Sequence, residues 1–300
     1  MTEHRPIPPH APLCAPPDFK PRRPKLTLPE GACDSHAHIC GPHADFDYSP
    51  ARIYTPPDCL WPDYRRMLAT LGVSRAVLVQ PSVYGTDNTV MLKAMKESDI
   101  PVRGVAVVDS SISDTELKAL HKAGVRGVRF NLVDVADPSG AIPLDDVEAM
   151  AKRIKPMGWH VEFLVHTDDY ANFDEMFADF PADIVVGHLG YMRPGQNPDI
   201  PGFQALLRLM RAKKCWTKLT GPYRISTGDV PYADTDPFAR ALIEAAPDRV
   251  VWGSDWPHVM VKKPMPNDGD LCDLLAAWVP DEQIRKRILA DNPAELYDFD

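Results

Sequence analysis

A chain of 300 residues with 44% hydrophobic content is long enough to bury a sizeable core, which excludes a disordered polypeptide or a disulfide-stapled miniprotein. Its formal charge of -9 argues against nucleic acid and anionic membrane surfaces as partners, since both require a basic face. The six cysteines have no Cys-x-x-Cys spacing and are expected to be reduced; with no signal-peptide pattern and no apolar run of membrane length, the expected location is the cytoplasm.

Residues 1–30, rich in proline and basic side chains, read as an extended arm, and residues 31–300 as one catalytic domain. Short β-branched runs then alternate with amphipathic stretches. Strands are expected at 32–39, 76–80, 102–108, 125–131, 160–165, 184–188, 216–219 and 250–254. Helices are expected at 62–71, 88–98, 114–123, 144–157, 203–213 and 237–246, with start chemistry at Asp114-Thr115-Glu116 and left-handed caps at Gly124 and Gly158. Strict βα alternation implies a parallel sheet, and eight repeats fit an α/β fold of the (β/α)8 TIM-barrel type. An open doubly wound sheet is the alternative, but it would normally carry a glycine-rich phosphate loop after its first strand. Here that place holds His36-Ala37-His38.

In a barrel of this kind the reactive groups gather at the carboxyl ends of the strands. Residues two apart on a strand point to one side, so His36 and His38 project together, and Asp255 follows the last strand. Two imidazoles and a carboxylate at one point hold a divalent metal or activate a water. His188 ends the sixth strand and joins the group. Arg129 lies on the fourth strand, and Ser82, His166, Arg224 and His258 follow the second, fifth, seventh and eighth. Arg126 and Arg129 are three apart and do not share a face; Arg129, nearer the carboxyl end, is the cleft residue and Arg126 is structural. His43, His121 and His160 are assigned no role.

Four blocks carry a resemblance: Asp34-Ser35-His36-Ala37-His38; Gln80-Pro81-Ser82 with Gly85-Thr86-Asp87-Asn88; Gly124-Val125-Arg126-Gly127-Val128-Arg129-Phe130-Asn131; and Trp252-Gly253-Ser254-Asp255-Trp256-Pro257-His258. Together they resemble the amidohydrolase superfamily. Within it they resemble the 2-pyrone-4,6-dicarboxylate lactonases and their relatives, 4-sulfomuconolactone hydrolases and aldarolactone isomerases. The resemblance implies a hydrolase that opens a small anionic lactone of aromatic catabolism, or alternatively an isomerase or lactonase of sugar-acid lactones. It makes His36, His38, His188 and Asp255 the catalytic core and places Tyr54, Ser82, Arg129, Arg224 and His258 at substrate-contacting positions.

A single divalent metal, zinc or manganese, would be held by His36, His38, His188 and Asp255, with His166 a further candidate; catalysis without metal stays open. Strand 4 presents Arg129 and Asn131 where a binuclear site needs a bridging lysine or carboxylate, so two metals are not expected. Two positions depart from the dicarboxylate lactonase pattern: Val135 stands for an arginine and Leu164 for a tyrosine. The substrate is therefore expected to differ from the pyrone dicarboxylate. Lys262 and Lys263 are alternative sources of positive charge. A monomer or small homo-oligomer is expected.

Overall fold

The computed structural model describes residues 10–134 and 141–299. Val135 lies outside the described residues. Among the described residues eight strands occur in chain order, β1 (Cys33–Ala37), β2 (Arg75–Val79), β3 (Val102–Ala106), β4 (Val125–Asn131), β5 (His160–Leu164), β6 (Ile184–Val186), β7 (Cys215–Leu219) and β8 (Val250–Trp252). Each pairs in parallel with the next. Between β8 and β1 the ring is completed just beyond the strand ends, where the Asp255 amide donates to His36 O at 2.8 Å and the His38 amide to Trp256 O at 2.8 Å. The structure is a nearly closed parallel barrel, as the alternation predicts. The hydrogen bonds that close it run through the residues expected to do the chemistry.

The predicted helices are α1 (Trp61–Leu71), α2 (Thr89–Glu97), α3 (Asp114–Lys122), α4 (Leu144–Ile154), α6 (Pro201–Arg211) and α7 (Asp236–Ala245). A short α5 (Phe173–Met176) and the C-terminal α8 (Asp268–Trp278), α9 (Glu282–Lys286) and α10 (Asn292–Tyr297) lay outside the periodic pattern. The α3 cap is Ser113, one residue earlier than expected, in a reciprocal capping box with Glu116. Gly124 and Gly158 take positive φ, as a helix end of this kind requires. Leu296, Tyr297 and Phe299 pack with Val77, Val105, Val185, Trp216 and Val251, so the C-terminal segment plugs one end of the barrel.

In β1 the register against β2 shifts between Asp34 and Ala37. Asp34 bonds Tyr64 of α1 at 2.9 Å, on the outside, whereas His36 meets Glu162 of β5 and Lys218 of β7 across the barrel. Simple alternation would put residues 34 and 36 on one face. The irregularity turns His36 inward and leaves Asp34 bonded to Ser254, which ties β1 to the end of β8.

The described part of the N-terminal arm lies against this framework. The Cys14 amide donates to Thr55 O at 2.8 Å, and the Lys25 and Leu26 amides donate to Asp273 of α8 at 2.8 and 3.0 Å. All six cysteines are free thiols. Among the described residues no helix is long and apolar enough to cross a membrane.

Candidate active site

The strands end sooner than expected where the site begins. His188 falls past β6 at φ 50°, and Asp255 three residues past β8 at φ 65°, both in the left-handed region that non-glycine residues rarely occupy. Such conformations persist only where the surroundings enforce them. Those turns carry the side chains back over the barrel mouth. His36 and His38 rings stand 4.9 Å apart, and the His188 ring lies 5.1 Å from that of His36.

Asp255 is fully buried and its two oxygens have different surroundings. Oδ2 accepts from Tyr223 Oη at 2.6 Å and from Arg224 Nε at 2.7 Å. Among the described residues Oδ1 has no hydrogen-bond partner; it faces Nε2 of His36 at 3.6 Å and Nε2 of His38 at 3.8 Å. Burial by itself would raise this carboxyl, but the Arg224 guanidinium beside it holds it well below the usual carboxylate range. It is an anion at neutral pH.

The imidazoles are neutral there. Burial, and then the Lys218 ammonium, bring His36 down to about 4 against the opposing pull of Glu162. Burial, and then His36 and Arg129, push His38 well below its ordinary value. His38 Nδ1 stands 2.7 Å from Val79 O, an acceptor only, so this nitrogen carries the proton and Nε2 presents a lone pair to the site. His188 Nδ1 is 2.7 Å from the hydroxyl of Thr220.

The remaining expected residues divide into two groups. Arg129 is buried, donates from Nη1 to Gln80 O at 3.2 Å, and has no partner for Nε among the described residues; Ser82 Oγ is 3.4 Å from Tyr54 Oη. Arg224 and His258 are bound into the scaffold. Besides Asp255, Arg224 donates to Val259 O, and His258 has Nδ1 3.0 Å from Tyr223 Oη and Nε2 3.1 Å from Asp268. His166 stacks on Tyr191 with Nδ1 2.7 Å from its carbonyl. Leu164 is buried. Arg126 pairs with Asp298, away from the site, and Lys263 ties the loop after β8 to the carbonyls of Ser226 and Gly228. His121 is half-buried and accepts from Trp159 at 2.9 Å.

Among the described residues, His36, His38 and Asp255 bring one ligand atom each to within 4.8 Å of one another; His188 and His166 are not in that group. His36 Nε2 and Asp255 Oδ1 are buried without partners among the described residues, and His38 Nε2 holds an unshared lone pair. This donor set of two imidazoles and one carboxylate fits a single divalent ion.

Sequence reasoning missed the layer beneath. Lys218 and Glu162 are completely buried and form an ion pair at 2.6 Å, with Lys218 Nζ also 2.9 Å from Ser35 O and 3.2 Å from His36 Nδ1. The available signal was a charge in the middle of an apolar strand, Glu162 in His-Val-Glu-Phe-Leu and Lys218 in Cys-Trp-Thr-Lys-Leu. Charged residues are rarely buried there without a task. Tyr223 was missed for a different reason, because a loop tyrosine beside Arg224 carries no pattern of its own.

The barrel and its site define an enzyme-like α/β protein with reactive groups at the strand ends. The chain belongs to the amidohydrolase family, whose model, described as Amidohydrolase, matches residues 33–299. It is 40% identical over 287 residues to a 2-pyrone-4,6-dicarboxylate hydrolase of Comamonas testosteroni, covering 92% of this chain and 93% of that protein. It is 38% identical to a 4-sulfomuconolactone hydrolase of Rhizobium radiobacter, covering 95% and 96%. A solved structure described as a probable 2-pyrone-4,6-dicarboxylic acid hydrolase of Acinetobacter baumannii with citric acid bound superposes with a TM-score of 0.77 at 27% identity, covering 90% and 100%.

Proposed function

We propose that this protein is a hydrolase that opens a small anionic lactone, of the muconolactone or pyrone type, with Asp255 as the base that activates water. The observation that carries the reading is the free Oδ1 of an ionised, fully buried Asp255 facing the imidazoles of His36 and His38. Relatives named as hydrolases of a pyrone dicarboxylate and of a sulfomuconolactone support the substrate class, as does the citric acid held by the A. baumannii protein.

Hydrolysis needs a nucleophilic water, a polarised carbonyl and a stabilised oxyanion. Tyr223 and Arg224 occupy Oδ2, which leaves Oδ1 to take the proton from water as its oxygen bonds to the lactone carbonyl carbon. The oxyanion so formed is stabilised by hydrogen-bond donors among the strand-end imidazoles. Collapse breaks the ring C–O bond, and the proton on Asp255 passes to the departing ring oxygen. Arg129 binds the substrate's carboxylate or sulfonate through its guanidinium, with Tyr54 and Ser82 as further substrate contacts. Arg224 and His258 support Asp255 from behind. His36, His38 and Asp255 would hold one divalent ion, zinc or manganese, which when bound adds Lewis-acid polarisation of the carbonyl and acidifies water. The free thiols support a reducing compartment such as the cytoplasm.

The test is ring opening of 4-sulfomuconolactone and of 2-pyrone-4,6-dicarboxylate, followed by loss of ultraviolet absorbance and acid release in a pH-stat. Stoichiometric acid release from at least one anionic lactone is expected. No release from either substrate, with or without added zinc or manganese, refutes the assignment.

A further inference from the structure

The buried ammonium under the site has three protons to place, and the structure offers three acceptors: Glu162 Oε2 at 2.6 Å, Ser35 O at 2.9 Å and His36 Nδ1 at 3.2 Å. We infer that Lys218 is a positioning residue that fixes the His36 tautomer, holding Nδ1 as an acceptor so that the proton sits on Nε2, the atom facing Asp255 and the lactone. The inference rests on the functional reading above for its catalytic meaning and on geometry alone for the tautomer.

Two contacts compete for Nδ1. Lys218 Nζ can only donate to it, while Glu162 Oε1, at 3.4 Å, can only accept from it. The lysine contact is the shorter. With side-chain exposures of 0% for Lys218 and 1% for Glu162, neither group reaches bulk solvent. Were His36 to carry its proton on Nδ1, the third ammonium proton would point at another proton and lose its protein acceptor in a solvent-inaccessible interior. An unmade hydrogen bond of a charged group is costly there, whereas Glu162 Oε1 without His36 keeps the ammonium's charge beside it. Tyr297, whose ring centroid lies 5.7 Å from Nζ, closes the floor of this compartment and offers the ammonium a π face rather than a competing acceptor.

The consequence differs for the two histidines. His38 presents a lone pair through the Val79 carbonyl, and His36 presents a proton through Lys218. In the ion-free protein His36 Nε2–H is therefore the donor available to the lactone carbonyl oxygen, and to the oxyanion that replaces it. Ligation of an ion through Nε2 requires the opposite tautomer, for which Glu162 Oε1 is the acceptor within reach.

The experiment is nitrogen-15 NMR of histidine-labelled, chelator-treated full-length protein at neutral pH, with His36 assigned by His36→Asn. Wild type is expected to show the His36 proton on Nε2 and Nδ1 at the shift of a hydrogen-bonded acceptor. The double variant Lys218→Met with Glu162→Met removes both charges together, so that neither is left buried alone; its Nδ1 signal is expected to move to that of an unbonded nitrogen. In the same variant kcat should fall by about tenfold or more while KM stays within about twofold, the pattern of lost transition-state positioning. A proton on Nδ1 in wild type overturns the inference whether or not the variant folds, and so does an unchanged Nδ1 signal in the folded variant. Failure to turn over any lactone would remove the functional reading and leave the tautomer result standing.

Discussion

Asp255→Asn tests the centre of the mechanism, and the structure predicts two separate losses. The amide oxygen can replace Oδ2 as the acceptor for Tyr223 and Arg224, which turns the NH2 toward the Nε2 atoms of His36 and His38. That geometry keeps the hydrogen bonds but removes the base and the charge. Loss of the general base should lower kcat by about a thousandfold, equivalent to about 4 kcal/mol in the barrier. Separately, Arg224 keeps its charge with a side chain only 9% exposed and no longer faces an anion. Removing one partner of a buried pair costs about 3–5 kcal/mol, an upper figure here because the amide still accepts a hydrogen bond. Turnover of an anionic lactone and urea denaturation, measured on one preparation, separate the two effects. A folded variant that retains more than about a tenth of wild-type kcat would exclude Asp255 as the base. Unchanged stability would show that Arg224 does not depend on this carboxylate.

Arg129→Lys keeps the charge but loses the forked donor, so KM for an anionic lactone should rise by the equivalent of about 1.5–3 kcal/mol; equal KM values for the two proteins would end its role as the anion clamp. Gly253→Ala would set a Cβ 2.7 Å from both the His36 amide nitrogen and its Cβ, pushing β8 from β1 where the ring closes. It should cost about 1–3 kcal/mol of stability and also lower kcat; a neutral effect on both in denaturation and rate assays refutes the closure argument. His160 is fully buried and has no hydrogen-bond partner among the described residues, and burial brings it down from 6.5 to about 3. The unfolded chain takes up a proton that the folded one refuses, so stability is full above about pH 6.5 and falls as pH drops toward 3, by about 1 kcal/mol per pH unit within that window. His160→Phe should flatten this part of the stability profile, and an unchanged slope would assign the acid lability elsewhere. Elemental analysis of protein loaded with zinc or manganese should give about one ion per chain, since Arg129 and Asn131 leave β4 without a bridging ligand; two ions would contradict the mononuclear site.

The barrel was legible because each of its eight strands had to be buried on both faces, which forces short β-branched runs, and each return had to be amphipathic. His36, His38 and Asp255 were legible for a related reason: polar residues at the ends of apolar runs stand out, and a parallel barrel brings all those ends to one rim. Periodicity does not encode what happens across the barrel. Glu162 and Lys218 lie 56 residues apart in sequence and become a pair only when β5 and β7 face one another through the interior. The register shift in β1 that turns His36 toward them depends on how β1 seats against β2. The sequence by itself also could not divide the arginines, because a guanidinium near a strand end reads the same whether it meets substrate or a carboxylate. The tertiary structure separates them through burial and partners, with Arg224 against Asp255 and Arg129 holding an unpartnered Nε. Local pattern determined which residues reach the rim, and the packing of strands distant in sequence decided which atoms are left free there, because a hydrogen bond depends on distance and direction that only the closed ring supplies.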